Sequence, residues 1–180
     1  MPPDRYREWQ NKSLTTMFTG IIETMGIVEE IRLNGSNKEF TISSAISDEL
    51  KVDQSLAHNG VCLTVTAVEN GKHHVTAIDE TLLRSNLGAL KIGESMNLER
   101  AMSGLSRFDG HLVQGHVDTV GVVKNVIDKD GSWIFTFNFP EENKHLLVDK
   151  GSVCINGVSL TVINPTSTTF QVAIIPYTYE

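Results

Sequence analysis

Seven residues of this chain return almost unchanged: Asn59-Gly-Val-Cys-Leu-Thr-Val65 reappears as Asn156-Gly-Val-Ser-Leu-Thr-Val162, identical at six of seven positions after an offset of 97. A weaker pair precedes each copy. Gly20-Ile-Ile-Glu-Thr-Met-Gly-Ile-Val28 is echoed by Gly115-His-Val-Asp-Thr-Val-Gly-Val-Val123 at an offset of 95, so two residues entered between the blocks. Two blocks in the same order identify a duplicated domain. The duplication constrains everything else, because each half of a 180-residue chain has to bury a core of its own.

Within each copy, short β-branched and aromatic runs alternate with turn signals, and no long window carries helical spacing. Asn34-Gly35, Asn70-Gly71 and Asp130-Gly131 each lie between apolar runs, and such pairs tolerate the positive φ of tight hairpins. About six short strands per copy point to a small barrel, with a short helical segment at 47–52 and again at 141–148. Ile92 to Arg100 reads as the strand closing copy one. Copy two reaches Glu180 before an equivalent segment, so its barrel is expected to lack a last strand. The boundaries are set at 17–103 and 112–180, with a Ser- and Gly-rich linker at 104–111. Residues 1–16 have no counterpart in copy two and read as an extension without fixed structure.

Composition excludes several function classes. At 40% hydrophobic residues with five prolines the chain is an ordinary folded one. A net charge of -7 without a basic stripe argues against nucleic acid as a partner. Cys62 and Cys154 lack CxxC spacing, which favours neither a zinc ribbon nor a disulfide framework and suits a reducing, cytoplasmic setting. No apolar run resembles a signal peptide or a membrane span. Phosphate loops, nucleophile elbows and dinucleotide fingerprints are missing from the sequence.

Alternate residues of a strand share a face. Cys62, Thr64 and Thr66 therefore oppose Leu63, Val65 and Ala67, and Ser159 and Thr161 oppose Leu160 and Val162. The aliphatic face belongs in a core, and the hydroxyl and thiol face, repeated in both copies, is free to meet a ligand. In Gly110-His-Leu-Val-Gln-Gly-His116 the two histidines are five apart. In extended chain they point to opposite sides, which argues against shared metal binding. His116 aligns with Ile21 of copy one and marks a divergence in chemistry, where an imidazole could move protons. His58, His73 and His74 carry structural readings only, the last two as exposed residues beside a hairpin.

The segment Met17-Phe-Thr-Gly-Ile-Ile-Glu23 resembles the amino terminus of the riboflavin synthase family. Ser55-Leu-Ala-His-Asn-Gly-Val-Cys-Leu-Thr-Val65, the Gly110 to His116 motif, Lys150-Gly151 and the Asn156 to Val162 block are similar to that family's motifs in order and spacing. The resemblance runs from Met17 to Glu180 and implies an all-β fold of two tandem six-stranded Greek-key barrels. It implies a dismutation in which two molecules of 6,7-dimethyl-8-ribityllumazine exchange a four-carbon unit, giving riboflavin and 5-amino-6-ribitylamino-pyrimidinedione, with no metal or organic cofactor. It implies a homotrimer where the carboxy-terminal tail is present, with sites between barrels of neighbouring subunits. By position it assigns Cys62, His116 and Ser159 to catalysis, and Phe18, Ser55, Thr64, Lys150, Asn156 and Thr161 to substrate binding. Asn156 stands where many relatives carry aspartate, which excludes an ionised carboxylate there. The same fold family includes non-catalytic lumazine and flavin carriers, and these are the alternative reading.

Overall fold

The computed structural model describes residues 16–104 and 107–179. The expected amino-terminal extension, apart from Thr16, and Leu105 and Ser106 of the expected linker lie outside the described residues.

Copy one is a closed barrel. Its strands are β1 (Thr24–Asn34), β2 (Asn37–Ser44), β3 (Ser55–His58), β4 (Val61–Glu69), β5 (Lys72–Ala77) and β6 (Ser95–Arg100), arranged in the antiparallel order β1-β2-β5-β4-β3-β6. β6 pairs with both β1 and β3 and so removes the open edges. A 3-10 turn at Ser47–Glu49 follows β2, and helix α1 (Asp79–Arg84) follows β5.

The hairpins form where the sequence allows positive φ. Asn70 and Gly71 have φ of 51° and 74°. Asn59-Gly60 and Asn156-Gly157 adopt the same conformation, so the strongest repeat block begins with a tight turn as well as carrying a strand. Val28, Phe40, Ile42, Leu56, Val65 and Leu98 lie among the residues filling the barrel, and none is more than 2% exposed. Burying each such side chain is worth about 1.5–3 kcal/mol, so the barrel holds on this interior rather than on its surface ion pairs.

Contrary to the expectation of an exposed residue beside a hairpin, His73 is fully buried, as is His58. Along β5 the buried positions are His73, Val75 and Ala77, so His73 keeps the parity of the core face while His74 takes the outer one. The two rings meet inside the barrel with Nε2 atoms 3.0 Å apart.

Copy two contributes β7 (Val122–Asp128), β8 (Trp133–Asn138), β9 (Ser152–Ile155), β10 (Val158–Thr161) and β11 (Thr169–Ile174), followed by the short helix α2 (Pro176–Tyr179). The three-stranded order β7-β8-β11 repeats β1-β2-β5, and the β9–β10 hairpin repeats β3–β4. Among the described residues copy two has no counterpart of β6, as expected. Every residue of β7 is exposed, whereas β1 buries Gly26 and Val28. The 3-10 turn at Glu141–Leu146 takes the place of the one at Ser47–Glu49.

The copies join through a reciprocal seam. Phe18 and Val113, which are repeat equivalents, form an antiparallel bridge in which each amide donates to the other's carbonyl, at 2.7 and 3.0 Å. Gly20 O accepts from Ser159 N at 2.7 Å, and its counterpart Gly115 O accepts from Cys62 N at 2.9 Å. Each copy therefore lends its leading segment to the outer face of the other. The turns at Gly60 and Gly157 touch so closely that a Cβ on Gly60 would lie 2.7 Å from Gly157 N.

Candidate functional site

The seam brings the candidate residues into two related clusters, one against β4 and one against β10. In the first, a pocket is lined by Cys62, Arg84, Ser85, Gly115 and His116, among others. Cys62 comes from the outer face of β4, while His116 arrives on the crossing segment of copy two. Sequence parity puts Cys62 and Thr64 opposite Leu63 and Val65. The structure keeps that division, with Leu63 and Val65 buried, Thr64 exposed and Cys62 half-buried. Ser55 faces Thr64 across the β3–β4 pair, and its hydroxyl lies 3.2 Å from Thr16 Oγ1.

Burial pushes the Cys62 thiol up, partly opposed by a hydrogen bond with Ser55. Arg84, which shares the pocket, is ion-paired with Glu80. Burial thus favours the neutral thiol, a weak hydrogen-bond donor.

In the second cluster, Ser159 Oγ lies 2.7 Å from His111 Nδ1. Burial lowers the pKa of His111, with Glu99 acting in the opposite direction. The His111 amide donates to Thr19 O at 2.9 Å, and Gly110 packs against the same carbonyl. The sequence pattern singles out His116 and passes over His111. Parity does separate the two rings, but nothing local shows that the face taken by His111 is the one occupied by Ser159.

The remaining candidates are distributed around these clusters. Thr161 is exposed at the end of β10. Lys150, with φ of 64°, is exposed, and its amide donates to Val162 O, as the amide of its equivalent Asp53 donates to Val65 O. Phe18 has no exposure and packs with Ala57 and Val113, against which Cys62 and Cys154 also rest. Asn156 sits in the β9–β10 turn, where its Oδ1 accepts from Asn86 Nδ2 at 3.1 Å and its carbonyl from Asn97 Nδ2 at 2.9 Å. Among the described residues no group of three His, Cys, Asp or Glu could hold a metal ion, and no helix is long and apolar enough to cross a membrane.

Two reciprocal barrel faces, each carrying a hydroxyl or thiol strand and a histidine, define a paired binding fold. The chain belongs to the lumazine binding domain family, whose model matches residues 19–101 and again 114–180. Relatives that span both copies include riboflavin synthases. That of Actinobacillus pleuropneumoniae is 37% identical over 165 residues, covering 91% of this chain and 77% of the relative. That of Bacillus subtilis is 37% identical, covering 90% and 76%, and that of Saccharomyces cerevisiae is 42% identical, covering 82% and 66%. The fold is similar to that of LumP complexed with 6,7-dimethyl-8-(1'-D-ribityl) lumazine, with a TM-score of 0.79 at 20% identity over 89% of this chain and 88% of that one. The structure of LumP complexed with riboflavin gives the same score and identity.

Proposed function

We propose that the chain acts as a riboflavin synthase, converting two molecules of 6,7-dimethyl-8-ribityllumazine into riboflavin and 5-amino-6-ribitylamino-pyrimidinedione. The observation that carries this reading is the duplication itself: a dismutation needs two copies of one ligand, and two related barrel faces supply two related sites. Their side chains have diverged, Cys62 against Ser159 and His116 against Ile21. Divergence gives one ligand the surroundings of a donor and the other those of an acceptor.

The reaction requires a methyl proton to leave the donor ring and the acceptor ring to be attacked. His116, exposed beside Cys62, is placed to exchange a proton with bound ligand and water. The Ser159–His111 pair offers a hydrogen-bond relay in the other cluster. Cys62 as a neutral thiol, with Ser55 and Thr64 on the adjoining strand face, orients the ring, and Thr161 and Lys150 serve the ribityl chain or ring edge of the second ligand. Phe18 and Asn156 act from beneath, filling and tying the seam that shapes both binding faces. Holding the two rings in register provides much of the rate, since effective molarities for well-oriented pairs reach ~10⁵ M or more.

A homotrimer where the carboxy-terminal tail is present, pairing the amino-terminal copy of one subunit with the carboxy-terminal copy of another, belongs to the same proposal. A cytoplasmic setting is the matching proposal for two free cysteines. A carrier role rests on likeness of fold to LumP alone.

Mixing purified protein with 6,7-dimethyl-8-ribityllumazine is expected to yield riboflavin, followed by absorbance, with the oligomeric state measured on the same sample. Tight binding without product would overturn the enzyme reading in favour of the carrier. Because its thiol is neutral and orienting, Cys62→Ser is expected to slow turnover by less than about tenfold. Turnover identical to the parent would remove Cys62 from the mechanism.

A further inference from the structure

Glu99 stands out among the buried polar groups. It lies on β6, where Met96 and Leu98 point into the barrel and Asn97 and Glu99 point out toward copy two. Outward carboxylates are ordinarily solvated, yet Glu99 is 6% exposed, and among the described residues it pairs with no cation. Its oxygens serve the crossing segment instead. Oε1 accepts from Thr19 N at 2.6 Å and from Thr19 Oγ1 at 2.7 Å, and Oε2 accepts from Gly20 N at 3.0 Å.

The carbonyls of those same two residues face the other copy. Thr19 O accepts from His111 N at 2.9 Å, and Gly20 O accepts from Ser159 N at 2.7 Å. One carboxylate thus fixes two consecutive residues by their amides, and the carbonyls of the same residues hold the backbones of a histidine and a serine whose side chains are 2.7 Å apart. The shape of a carboxylate matters here, because three donors converge on two acceptor oxygens with no donor to spare. An amide at the same place would turn an NH₂ group toward an N–H, which leaves buried donors facing each other.

We propose that Glu99 is a positioning residue for the Ser159–His111 half of the site, acting through the Thr19–Gly20 segment rather than by touching ligand. The inference rests on the functional reading above for its consequence in catalysis, but the positioning can be read without activity. Copy one closes the device over copy two: its last strand carries the carboxylate, its leading segment carries the message, and the residues placed belong to the other barrel.

The test is Glu99→Gln in the full chain, followed by amide hydrogen exchange and by turnover of 6,7-dimethyl-8-ribityllumazine. Protection of the Ser159 and His111 amides is expected to fall at least tenfold, while the Cys62 amide, held by Gly115 O, keeps its own. The variant is expected to lose about tenfold or more in kcat with KM changed less than about threefold, since small misplacements of reacting groups are costly. Unchanged protection at Ser159 and His111 would overturn the proposal, as would equal loss at Cys62, which marks general loosening. Should Glu99→Gln fail to fold, Thr19→Val removes one of the three bonds without touching the carboxylate. It is expected to weaken Ser159 protection by a smaller factor, and no change would count against the proposal. Altered exchange in a protein whose parent form makes no riboflavin would leave the positioning standing and sink the synthase reading instead.

Discussion

Gly115→Ala is expected to abolish turnover and to cost about 3 kcal/mol or more in a chemical denaturation series, whereas Gly35→Ala is expected to cost about 1 kcal/mol and leave turnover intact. Both glycines have positive φ, 78° and 63°, so an alanine at either meets a similar conformational penalty. They differ in their surroundings. A Cβ on Gly115 would lie 2.6 Å from Cys62 Cβ and 2.9 Å from Cys62 N, while one on Gly35 would meet nothing within 4 Å. Relief at Gly115 requires backbone to move, which breaks the Cys62 N to Gly115 O hydrogen bond and shifts His116, the next residue. Equal costs for the two variants would mean that the seam is soft, and would remove it as the element that assembles the site.

Acidification is the second large effect. His58 Nδ1 lies 3.1 Å from Leu56 O, which can only accept, so this nitrogen carries a proton. In a neutral ring His58 Nε2 is then an acceptor, and the proton between the rings belongs to His73 Nε2. His73 Nδ1, left as an acceptor, takes the Ser47 hydroxyl at 2.9 Å, and Ser47 Oγ takes that of Ser44 at 2.8 Å. The chain is satisfied from end to end with both rings neutral. A further proton on His58 would set two N–H groups against each other in the barrel interior.

Burial accordingly lowers both pKa values, His58 to about 3 and His73 to about 4, with the charge of the neighbouring histidine adding to burial at each. His74 is that neighbour for His73, and on the outer surface its Nδ1 lies 3.1 Å from Thr41 Oγ1 and its Nε2 3.2 Å from Glu69 Oε1. Because the folded values lie below the unfolded value of 6.5, their contribution to stability is present above pH 6.5 and is lost as pH falls toward 4. At pH 5 the loss is about 2 kcal/mol for each ring, from about 1.36 kcal/mol per unit. Denaturant midpoints measured between pH 7 and 4.5 are expected to fall steeply. The fall is expected to be roughly halved in His73→Leu, which leaves His58 unsatisfied and loses about 1–3 kcal/mol at neutral pH. A flat profile in the parent protein would show that the rings are not buried neutral in solution.

Much of the fold is legible in the sequence alone. The repeated blocks imply two copies, the Asn-Gly pairs locate hairpins, and the alternation around Cys62 and Ser159 separates core face from outer face. These features are local: strand parity and turn conformation follow from two or four neighbouring residues. The expectation that His73 is exposed fails because proximity to a turn does not outweigh parity, and His73, Val75 and Ala77 share one face. His111 and Glu99 are a different case. Nothing in the sequence brings residues 19, 99, 111 and 159 together, since each meets a side-chain partner at least 48 positions away.

Two related barrels with matching hydroxyl and thiol faces follow from local sequence alone, because hydrophobic periodicity and turn chemistry are properties of short stretches. The crossing of each copy's leading segment to the other, the meeting of His111 rather than His116 with Ser159, and the proton relay between two histidines inside the first barrel arise only in the folded chain. Those outcomes depend on how far-separated backbones approach, and close approach is set by the packing of whole elements around glycines and a single carboxylate.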